Sequence, residues 1–426
     1  MNSSVTLTYI SLSLATQLDV PLSKSISNRL LILRETFAPN LDIHQLSTAD
    51  DTQLLMRLLA EIKTYTYPSN RVKTLDALNS GTVFRFLCAY LCFNKGKWLL
   101  TGNDAMKNRP IKELVDVLST CGANINYIEK NGYPPLKILT SNSLHIDGLL
   151  TIDSQRSSQF VSALLMVLPL MKQNVNLQIS ENTSSLPYLS MTLSLMQSLG
   201  IKVRKESNIL YYNYTPPITK KVTAIVESDW SAAAYWCAWL ALHKKGNIFI
   251  KGLKKSKLQA DSIIETIVSQ FGVCINYQKE GALIHNINDN NPTFFDFDAS
   301  SCPDLVPTLA VLFCGLQIKA SIKGVANLVY KESNRIEALI NELGQIAFIS
   351  YNGKELEIKP LNIKNDIPLS FHTYNDHRLA MSFALLTGIF PKIHIENPEC
   401  VIKSYPGFWQ QLQKLGVECK TLEFKN

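Results

Sequence analysis

The sequence has little charge and no long apolar run. Asp, Glu, Lys and Arg make up only 18% of the 426 residues, and no low-complexity tract interrupts the chain. The apolar runs, such as residues 232–242, are too short to span a bilayer. The start, Met1-Asn2-Ser3-Ser4-Val5-Thr6, lacks the basic and apolar regions of a signal peptide. We therefore expect a folded cytoplasmic protein that does not associate with membranes.

The nine cysteines contain no Cys-x-x-Cys pair. An odd number without such pairs argues against a disulfide framework, and it also argues against a metal site. Cys88 and Cys92 lie four residues apart on an apolar run, which indicates helix packing. We expect reduced, buried thiols.

Positive charge is in mild excess but is not concentrated. Lys and Arg number 42 against 35 Asp and Glu, a net charge of +7. The sequence shows neither a Lys/Arg-rich block nor a nucleic-acid-binding motif, so a nucleic-acid partner is not expected. Basic residues distributed over separate motifs are more typical of a protein that binds small anionic substrates.

A repeat of about seventy residues runs through the chain. Helical patterns end in a glycine that is followed by a short alternating segment, and these glycines are Gly122, Gly200, Gly272, Gly344 and Gly416. The intervals are 78, 72, 72 and 72 residues. Glycine is common just after a helix because it adopts the left-handed conformation at low cost, so we expect that conformation here. A sixth copy without the glycine is expected to end near residues 58–62.

Six such units are too small to fold separately, so we predict two domains of three units each. The polar, Pro-containing stretch 214–221 indicates one crossing between domains, and the other is expected near residues 15–21. The predicted domains are therefore 1–19 plus 228–426, and 20–227. This division leaves the first strand free to join the C-terminal half.

Residues 21–29, Pro-Leu-Ser-Lys-Ser-Ile-Ser-Asn-Arg, lie at the start of an apolar helix pattern. Free backbone N–H groups at a helix start attract anions, and Lys24 and Arg29 add full charges. This stretch favours a phosphate or carboxylate site, although an ordinary capped helix with solvated bases would give the same pattern.

Similar polar segments recur before other helices. Asn79-Ser80-Gly81-Thr82 precedes a helix with Arg85, Arg109 precedes a helix opened by Pro110, and Ser157-Ser158-Gln159 precedes an apolar helix. A base at the positive end of a helix dipole is unfavourable, so Arg109 indicates that an anion compensates it. Each of these segments taken alone is also compatible with a structural turn or cap.

The candidate acids lie in the second half of the chain. Asp304 follows Pro303 at a helix start, where a capping role is the alternative. Residues 327–335 and 374–381 each combine acids and bases ahead of a helix, and Lys403 precedes the last helix. A charge cluster is usually a solvated face, but repeated placement before helices favours convergence on an anion.

In chain order, the motifs are SKSxSNR, NxGTxxR, TGxxxMKxRPI, SSQF, SxPY, PDLVPT, NxxxKExxR, YNDHRxAM and a late lysine. This set resembles the 5-enolpyruvylshikimate-3-phosphate (EPSP) synthase family over nearly the whole chain. The resemblance implies an α/β fold of the inside-out α/β barrel type, with two similar domains. Each domain would contain three β-α-β-α-β-β units, and the active site would lie in the interdomain cleft.

The resemblance also implies the reaction, in which the enolpyruvyl group of phosphoenolpyruvate is joined to the 5-hydroxyl of shikimate 3-phosphate and phosphate is released. This is a step of the shikimate pathway to chorismate and the aromatic amino acids. Neither a metal nor an organic cofactor is expected, and a monomer is expected. Two departures from the family pattern concern the fine geometry: Leu22 stands where glycine is common, and Gln155-Arg156 where smaller residues are usual.

By the same resemblance, the proton acceptor from the 5-hydroxyl is Asp304, the proton donor to the methylene carbon is Glu332, and Lys24 is also catalytic. The expected contacts of shikimate 3-phosphate are Lys24, Ser25, Arg29, Ser157, Ser158, Gln159, Ser185, Asp304, Asn327 and Lys331. The expected contacts of phosphoenolpyruvate are Lys24, Gly81, Arg109, Gln159, Arg335, Arg378 and Lys403.

Two alternatives are kept. The related transferase that acts on UDP-N-acetylglucosamine carries a cysteine in the loop before its Arg-Pro pair, and residues 101–109 contain none. A non-catalytic homologue that only binds anions would not need Asp304 and Glu332, and both are present.

Overall fold

The structure is a computed structural model that describes residues 3–10, 15–66, 71–140, 144–155, 157–181, 186–287, 292–362 and 366–423. Its internal contacts divide the chain into two compact units. Unit 1 consists of Met1–Ser23 and Glu227–Asn426, and unit 2 consists of Lys24–Val226. We propose that these units are the two domains expected from the repeats.

The helices and strands are listed here in chain order. The strands are β1 (Ser3–Tyr9), β2 (Ala15–Asp19), β3 (Leu41–His44), β4 (Lys73–Asp76), β5 (Gly96–Thr101), β6 (Asn124–Tyr127), β7 (Leu136–Thr140), β8 (Leu149–Ile152), β9 (Val175–Ile179), β10 (Lys202–Glu206), β11 (Ile209–Asn213), β12 (Val222–Ile225), β13 (Asn247–Lys251), β14 (Val273–Gln278), β15 (Gly281–Asn286), β16 (Phe294–Asp298), β17 (Lys319–Lys323), β18 (Ala347–Tyr351), β19 (Glu355–Pro360), β20 (Leu369–Phe371), β21 (Lys392–Glu396) and β22 (Val417–Glu423). The helices are α1 (Lys24–Thr36), α2 (Asp50–Lys63), α3 (Gly81–Leu91), α4 (Asp104–Lys107), α5 (Lys112–Thr120), α6 (Ser158–Val167), α7 (Leu186–Ser198), α8 (Trp230–His243), α9 (Ile264–Ser269), α10 (Val306–Gly315), α11 (Arg335–Leu343), α12 (His377–Ala384) and α13 (Phe408–Lys414). Short 3-10 turns lie at Leu168–Met171, Ala260–Ile263, Pro303–Leu305, Ala326–Tyr330 and Pro398–Lys403.

One sheet pattern recurs in both units. Within the described residues there are five four-stranded sheets, with orders β2-β13-β15-β14, β4-β5-β7-β6, β8-β9-β11-β10, β16-β17-β19-β18 and β20-β21-β1-β22. In each, the first two strands are parallel and the other neighbours are antiparallel. In the described part of the chain, the sixth sheet contains only the parallel pair β12-β3. It belongs to the copy that lacks the glycine, and no final strand pair follows among the described residues of that copy.

The repeats are interleaved along the chain. β1 pairs with β21 and β22, so the N-terminal strand completes a sheet of the C-terminal half. β2 precedes α1 in the chain but pairs with β13, whereas β12 precedes α8 but pairs with β3. In the two copies next to the crossings between domains, the first strand is therefore far in sequence from the strand with which it pairs. Local sequence patterns do not reveal such a pairing.

The first helix of each repeat lies in the interior of its unit. In unit 1, α10 packs against α8 and α12, and in unit 2, α1, α3 and α6 pack against one another. A helix that is hydrophobic all round must be buried, and Val306 to Cys314 of α10 are all buried. The tryptophans Trp230, Trp236 and Trp239 of α8 are also buried. Sheets outside and helices inside give the inside-out barrel arrangement.

The repeat glycines follow the expected conformation in four copies. Gly122, Gly200, Gly272 and Gly416 have φ values of 92°, 85°, 81° and 87°. The expectation is wrong at Gly344, where φ is −54° and the residue caps α11 in the right-handed region. There the chain continues through another tight turn, in which the Ile346 N–H donates to the Leu343 carbonyl oxygen over 2.9 Å. The strand β18 consequently begins three residues after the glycine.

No helix among the described residues combines the length and the apolar character needed to cross a bilayer.

Candidate active site

In unit 1, the carboxylate of Asp304 lies among three cations. Its Oδ1 is 3.3 Å from Lys331 Nζ and 3.0 Å from Arg335 Nη1, and its Oδ2 is 3.0 Å from Arg378 Nη2. Asp304 lies in the 3-10 turn Pro303–Leu305, where no side chain caps the turn or the start of α10. The capping alternative is therefore wrong for this residue, and its carboxylate binds cations instead.

Glu332 belongs to the same cluster of charged side chains. Its Oε2 is 3.0 Å from Arg335 Nη2, and its Oε1 is 3.2 Å from Lys403 Nζ. Arg335 thus contacts both candidate proton-transfer carboxylates, Asp304 and Glu332, through its two terminal nitrogens. Each pair is a charge-assisted hydrogen bond, which is stronger than a neutral one.

Asp376 holds the Arg335 guanidinium in place through two hydrogen bonds. The Arg335 Nε donates to Asp376 Oδ2 over 2.7 Å, and Nη2 donates to Oδ1 over 3.2 Å. Asp376 also accepts from the Ser333 hydroxyl and from the Arg378 backbone N–H, and the latter bond caps α12. Arg335 is 1% exposed and Asp376 is fully buried. This fork-to-carboxylate contact ties the start of α11 to the start of α12.

The charges of this cluster shift the pKa values of its members. Burial alone would raise the pKa of Asp304, but Arg378, Lys331 and Arg335 outweigh it and hold that pKa well below the ordinary value. Burial also disfavours the charged form of Arg335, yet Asp376, Glu332 and Asp304 raise its pKa. The pKa of Lys331 is lowered, mainly by burial. Asp304 is therefore ionised near neutral pH.

In unit 2, Gly81, Arg85, Arg109 and Gln159 form a connected group. The Arg85 Nη1 donates to Gln159 Oε1 over 2.7 Å, and the Gln159 amide nitrogen donates to the Thr82 hydroxyl over 3.3 Å. A Cβ placed on Gly81 would lie 2.5 Å from Arg85 Nη1 and 2.7 Å from Arg109 Cζ. The two guanidiniums thus occupy the space that a side chain at position 81 would need.

Two buried arginines of unit 2, Arg29 and Arg109, have no carboxylate partner among the residues that the structure describes. Among the described residues, no carboxylate forms an ion pair with Arg109 or with Arg29. The Nε of Arg109 is buried without a hydrogen-bond partner in that part of the chain. Arg29 donates to the Thr192 hydroxyl and to the carbonyl oxygens of Ser25 and Tyr188. Burial lowers the pKa of Arg29 to about 10.

Lys24, the first residue of α1, pairs with a residue that the sequence did not single out. Its Nζ is 3.0 Å from Asp51 Oδ2 at the start of α2, and Asp51 is buried. Lys24 and Ser25 are both partly exposed.

The remaining candidates lie at other helix starts. Ser157 caps α6 by accepting from the Gln159 N–H over 3.2 Å, and Ser158 is the buried first residue of that helix. Asn327 lies, partly exposed, in the turn Ala326–Tyr330. Ser185 lies outside the described residues. Within the described ranges, no group of three or more His, Cys, Asp or Glu side chains could hold a metal ion.

Sequence reasoning missed two residues of these groups, Asp51 and Asp376. Asp376 stood within the YNDHRxAM motif, and its position immediately before a helix was a detectable capping signal. Asp51 gave no comparable signal. Asp51 looks like an ordinary first-turn acid, and only the fold brings it to Lys24.

Comparisons with known proteins show which family and fold the chain shares. A family model described as EPSP synthase (3-phosphoshikimate 1-carboxyvinyltransferase) matches residues 9–412. A 3-phosphoshikimate 1-carboxyvinyltransferase of Bacteroides fragilis (strain YCH46) is 34% identical, over 95% of this chain and 96% of the relative. One of Buchnera aphidicola subsp. Cinara cedri is 33% identical, over 94% of each chain.

Solved structures share the fold. An EPSP synthase from Acinetobacter baumannii aligns with a TM-score of 0.74 at 19% identity, over 99% of this chain and 100% of that one. The enolpyruvyl transferase NikO from Streptomyces tendae also aligns with a TM-score of 0.74, at 14% identity over 99% of each chain.

Proposed function

The chain belongs to the EPSP synthase family, and from this premise we propose that it transfers the enolpyruvyl group of phosphoenolpyruvate to the 5-hydroxyl of shikimate 3-phosphate, releasing phosphate. The observation that carries the proposal is the family match over residues 9–412. The curated relatives carry the name of the same transferase at about a third identity over nearly their whole length. The chain is accordingly a transferase of the shikimate pathway.

The charge pattern of the described residues supports this chemistry. Phosphoenolpyruvate carries a phosphate and a carboxylate within a few atoms, so several cations are needed to bind it. Arg109, which is buried without a carboxylate partner in the described part of the chain, suits a phosphate. Arg378 and Lys403 already bind carboxylates of the protein, at 3.0 and 3.2 Å. Their geometry therefore suits an anionic oxygen of a substrate.

We assign the removal of the 5-hydroxyl proton to Asp304. A group that accepts a proton must be ionised, and the low pKa of Asp304 meets that condition. Three cations also make it a weak base. A substrate anion that takes up part of the charge of Arg378 or Lys331 makes Asp304 more basic, so substrate binding prepares this carboxylate for its role.

We assign proton transfer at the methylene carbon to Glu332. Protonation of that carbon makes the neighbouring carbon electrophilic, and the 5-hydroxyl oxygen bonds to it while its proton passes to Asp304. The C–O bond to phosphate then breaks, the new methyl group loses a proton to Glu332 to restore the double bond, and the proton on Asp304 leaves with the phosphate. Both carboxylate oxygens of Glu332 contact cations, Arg335 at 3.0 Å and Lys403 at 3.2 Å. A substrate phosphate that contacts Lys403 would compete with Glu332 for this cation.

The other residues that the resemblance assigns to the two substrates are proposed in the same roles. Arg335 is a special case, because four of its hydrogen bonds go to carboxylates of the protein. Only part of its donor capacity remains for phosphoenolpyruvate.

A phosphate-release assay tests the proposed reaction. Phosphate should appear only when phosphoenolpyruvate and shikimate 3-phosphate are both present, and omission of either should abolish release. Equal release with UDP-N-acetylglucosamine in place of shikimate 3-phosphate would contradict the proposal.

A further inference from the structure

The 372–376 segment connects β20 to α12 and leads into the candidate site. Asp376, its last residue, accepts a hydrogen bond from Arg335 and caps α12 by accepting from the Arg378 backbone N–H. The Arg378 side chain in turn lies 3.0 Å from the Asp304 carboxylate. The conformation of this segment therefore determines where two guanidiniums of the candidate site lie.

Two neighbouring residues of the 372–376 segment have a left-handed backbone. The φ values are 52° at Tyr374 and 55° at Asn375, and within the described ranges no other two consecutive non-glycine residues share a positive φ. Asparagine adopts this region more readily than most residues, but a bulky aromatic residue there is uncommon. Such conformations persist only where the surrounding structure stabilises them. The segment therefore needs contacts that keep it in this conformation.

Glu342, in the last turn of α11, supplies such contacts. This buried residue accepts a hydrogen bond at Oε2 from the His372 backbone N–H over 2.9 Å, and at Oε1 from the Tyr374 hydroxyl over 2.8 Å. One carboxylate thus binds both the backbone and a side chain of the segment. A buried carboxylate is costly unless its oxygens accept hydrogen bonds, and both oxygens of Glu342 do so. The proposed mechanism gives this residue no role.

The helix α11 consequently binds the 372–376 segment at two places. Arg335 and Glu342 are both buried and lie seven residues apart, so they share one face of the helix and are separated by about 10 Å along its axis. Arg335 binds Asp376 at one end of the segment, and Glu342 binds the backbone of His372 at the other. The left-handed pair lies between these two attachments.

We propose that Glu342 is a positioning residue for the transfer reaction, because it keeps the 372–376 segment in the conformation that places Asp376 and Arg378 at the candidate site. The inference rests on the proposed function for the identity of the anion that Arg378 binds, phosphoenolpyruvate. The role of Glu342 depends on the hydrogen bonds that its two oxygens accept. Without them the left-handed residues can relax, and Arg378 moves away from the position in which it binds the substrate.

Glu342→Met tests this role, since it keeps a side chain of similar length but removes both hydrogen bonds. The KM for phosphoenolpyruvate should rise by roughly tenfold or more, because a displacement of about 1 Å in a substrate-binding group can cost about 100-fold. The value of kcat should fall by a smaller factor. A variant that is only less stable would lower kcat per total protein and leave KM unchanged, because KM does not depend on the fraction of enzyme that is folded.

Glu342→Gln is the conservative variant that should restore the wild-type kinetics. Its amide oxygen can accept from the His372 N–H, and its amide nitrogen can donate to the Tyr374 hydroxyl oxygen. The KM for phosphoenolpyruvate should therefore stay within a factor of a few of the wild type. A Glu342→Gln variant as impaired as Glu342→Met would show that the negative charge is what matters, and this would overturn the inference.

Tyr374→Phe changes the other side of the contact and, because Tyr374 is exposed, should fold even if Glu342→Met does not. The KM for phosphoenolpyruvate should rise by roughly 2- to 10-fold, the usual size for the loss of one hydrogen bond. Tyr277→Phe is the matched control, since the Tyr277 hydroxyl donates to Glu265 of α9 over 2.7 Å. Its KM should match the wild type. An unchanged KM in Tyr374→Phe and Glu342→Met, or an equal rise in Tyr277→Phe, would overturn the inference.

Amide hydrogen exchange gives a readout that needs no substrate. The His372 N–H should exchange faster in Glu342→Met than in the wild type, and Glu342→Gln should keep its protection. Unchanged exchange in Glu342→Met would overturn the inference while leaving the transferase activity intact. Failure of the wild-type chain to release phosphate with both substrates present would overturn the proposed function, and with it the role of Glu342 in that reaction.

Discussion

Arg335 in unit 1 and Arg109 in unit 2 are both buried, but their surroundings differ in charge. Arg335 donates to Asp304, Glu332 and Asp376. Arg109 has a single long contact, 3.5 Å from its Nη1 to the Asn79 carbonyl oxygen, and forms no ion pair within the described ranges. A buried cation without a counter-charge is costly, and functional sites are where such costs are tolerated. In Arg335, the positive charge is balanced by carboxylates of the protein, whereas that of Arg109 is not balanced within the described residues. We propose that the first group serves proton transfer and that Arg109 binds an anionic ligand.

The largest expected effect concerns the proton-transfer centre. Glu332→Gln keeps the size of the side chain but removes the exchangeable proton, so kcat should fall by roughly 10²–10⁴-fold, the usual scale for a general acid or base. Binding of shikimate 3-phosphate should persist, and this is measured by calorimetry alongside turnover.

Glu337→Gln is the matched control. Glu337 lies in the first turn of α11, just after Glu332 in the chain; it is exposed, and its side chain bonds only to Asn334 in the described part of the chain. Its replacement should leave kcat within a factor of a few. Turnover of Glu332→Gln close to wild type would mean that Glu332 is structural.

The second-largest expected effect is on the free energy of unfolding. It compares the same change, arginine to methionine, at one position in each unit. Arg335→Met leaves three buried or partly buried carboxylates without their shared cation, and breaking such a network costs about 3–5 kcal/mol of unfolding free energy. Arg109→Met removes a cation that has no carboxylate partner in the described residues, so stability should be unchanged or improved. Denaturant unfolding of both variants measures the difference. Equal losses would remove the distinction between the two units.

The sequence predicted much of the fold because the repeat carries its own signal. Spacings of 72 residues between Gly200, Gly272, Gly344 and Gly416 indicate equal units, and the structure shows the corresponding sheets. The exchange of first strands at β2 and β12 was not predictable, since the partners lie about two hundred residues apart. Local periodicity reports which face of a segment is buried, not which distant strand pairs with it.

The candidate site was predictable in its residue types but not in its pairing. Motif order marked Asp304, Glu332 and Arg378 as candidates, and each lies at or just before the start of a helix. The bonds from Arg335 to Asp376, and from Lys24 to Asp51, depend on the packing of helices that are separate in sequence. The assignment of substrates to these residues remains a prediction.

The third effect is on affinity for phosphoenolpyruvate. Arg109→Leu removes a guanidinium that we propose binds the substrate phosphate, and a hydrogen bond to a charged group is worth about 1.5–3 kcal/mol. The value of kcat/KM for phosphoenolpyruvate should therefore fall by roughly 10- to 150-fold. Lys112→Met is the control, because Lys112 is exposed and pairs with Asp116 one turn along α5. Similar losses of kcat/KM in both variants would indicate that the substrate responds to the overall positive charge and not to a specific binding site at Arg109.

The smallest effect comes from Gly81→Ala. Arg335 is fixed by carboxylates, whereas Arg85 and Arg109 lie against the backbone of Gly81, and a methyl group there would lie 2.5 Å from Arg85 Nη1 and 2.7 Å from Arg109 Cζ. Both atoms belong to flexible side chains, so the guanidiniums can shift and the fold should be retained. The shift should raise the KM for phosphoenolpyruvate by about tenfold or less, because the charge is kept and only its position changes.

Gly407→Ala provides the comparison, since a Cβ at that glycine meets no atom within 4 Å. Its kinetics should match the wild type. A Gly81→Ala variant with an unchanged KM, together with an impaired Arg109→Leu variant, would show that the position of the guanidinium is not tightly constrained. Unit 2 would then supply charge without the fixed geometry that the carboxylates impose in unit 1.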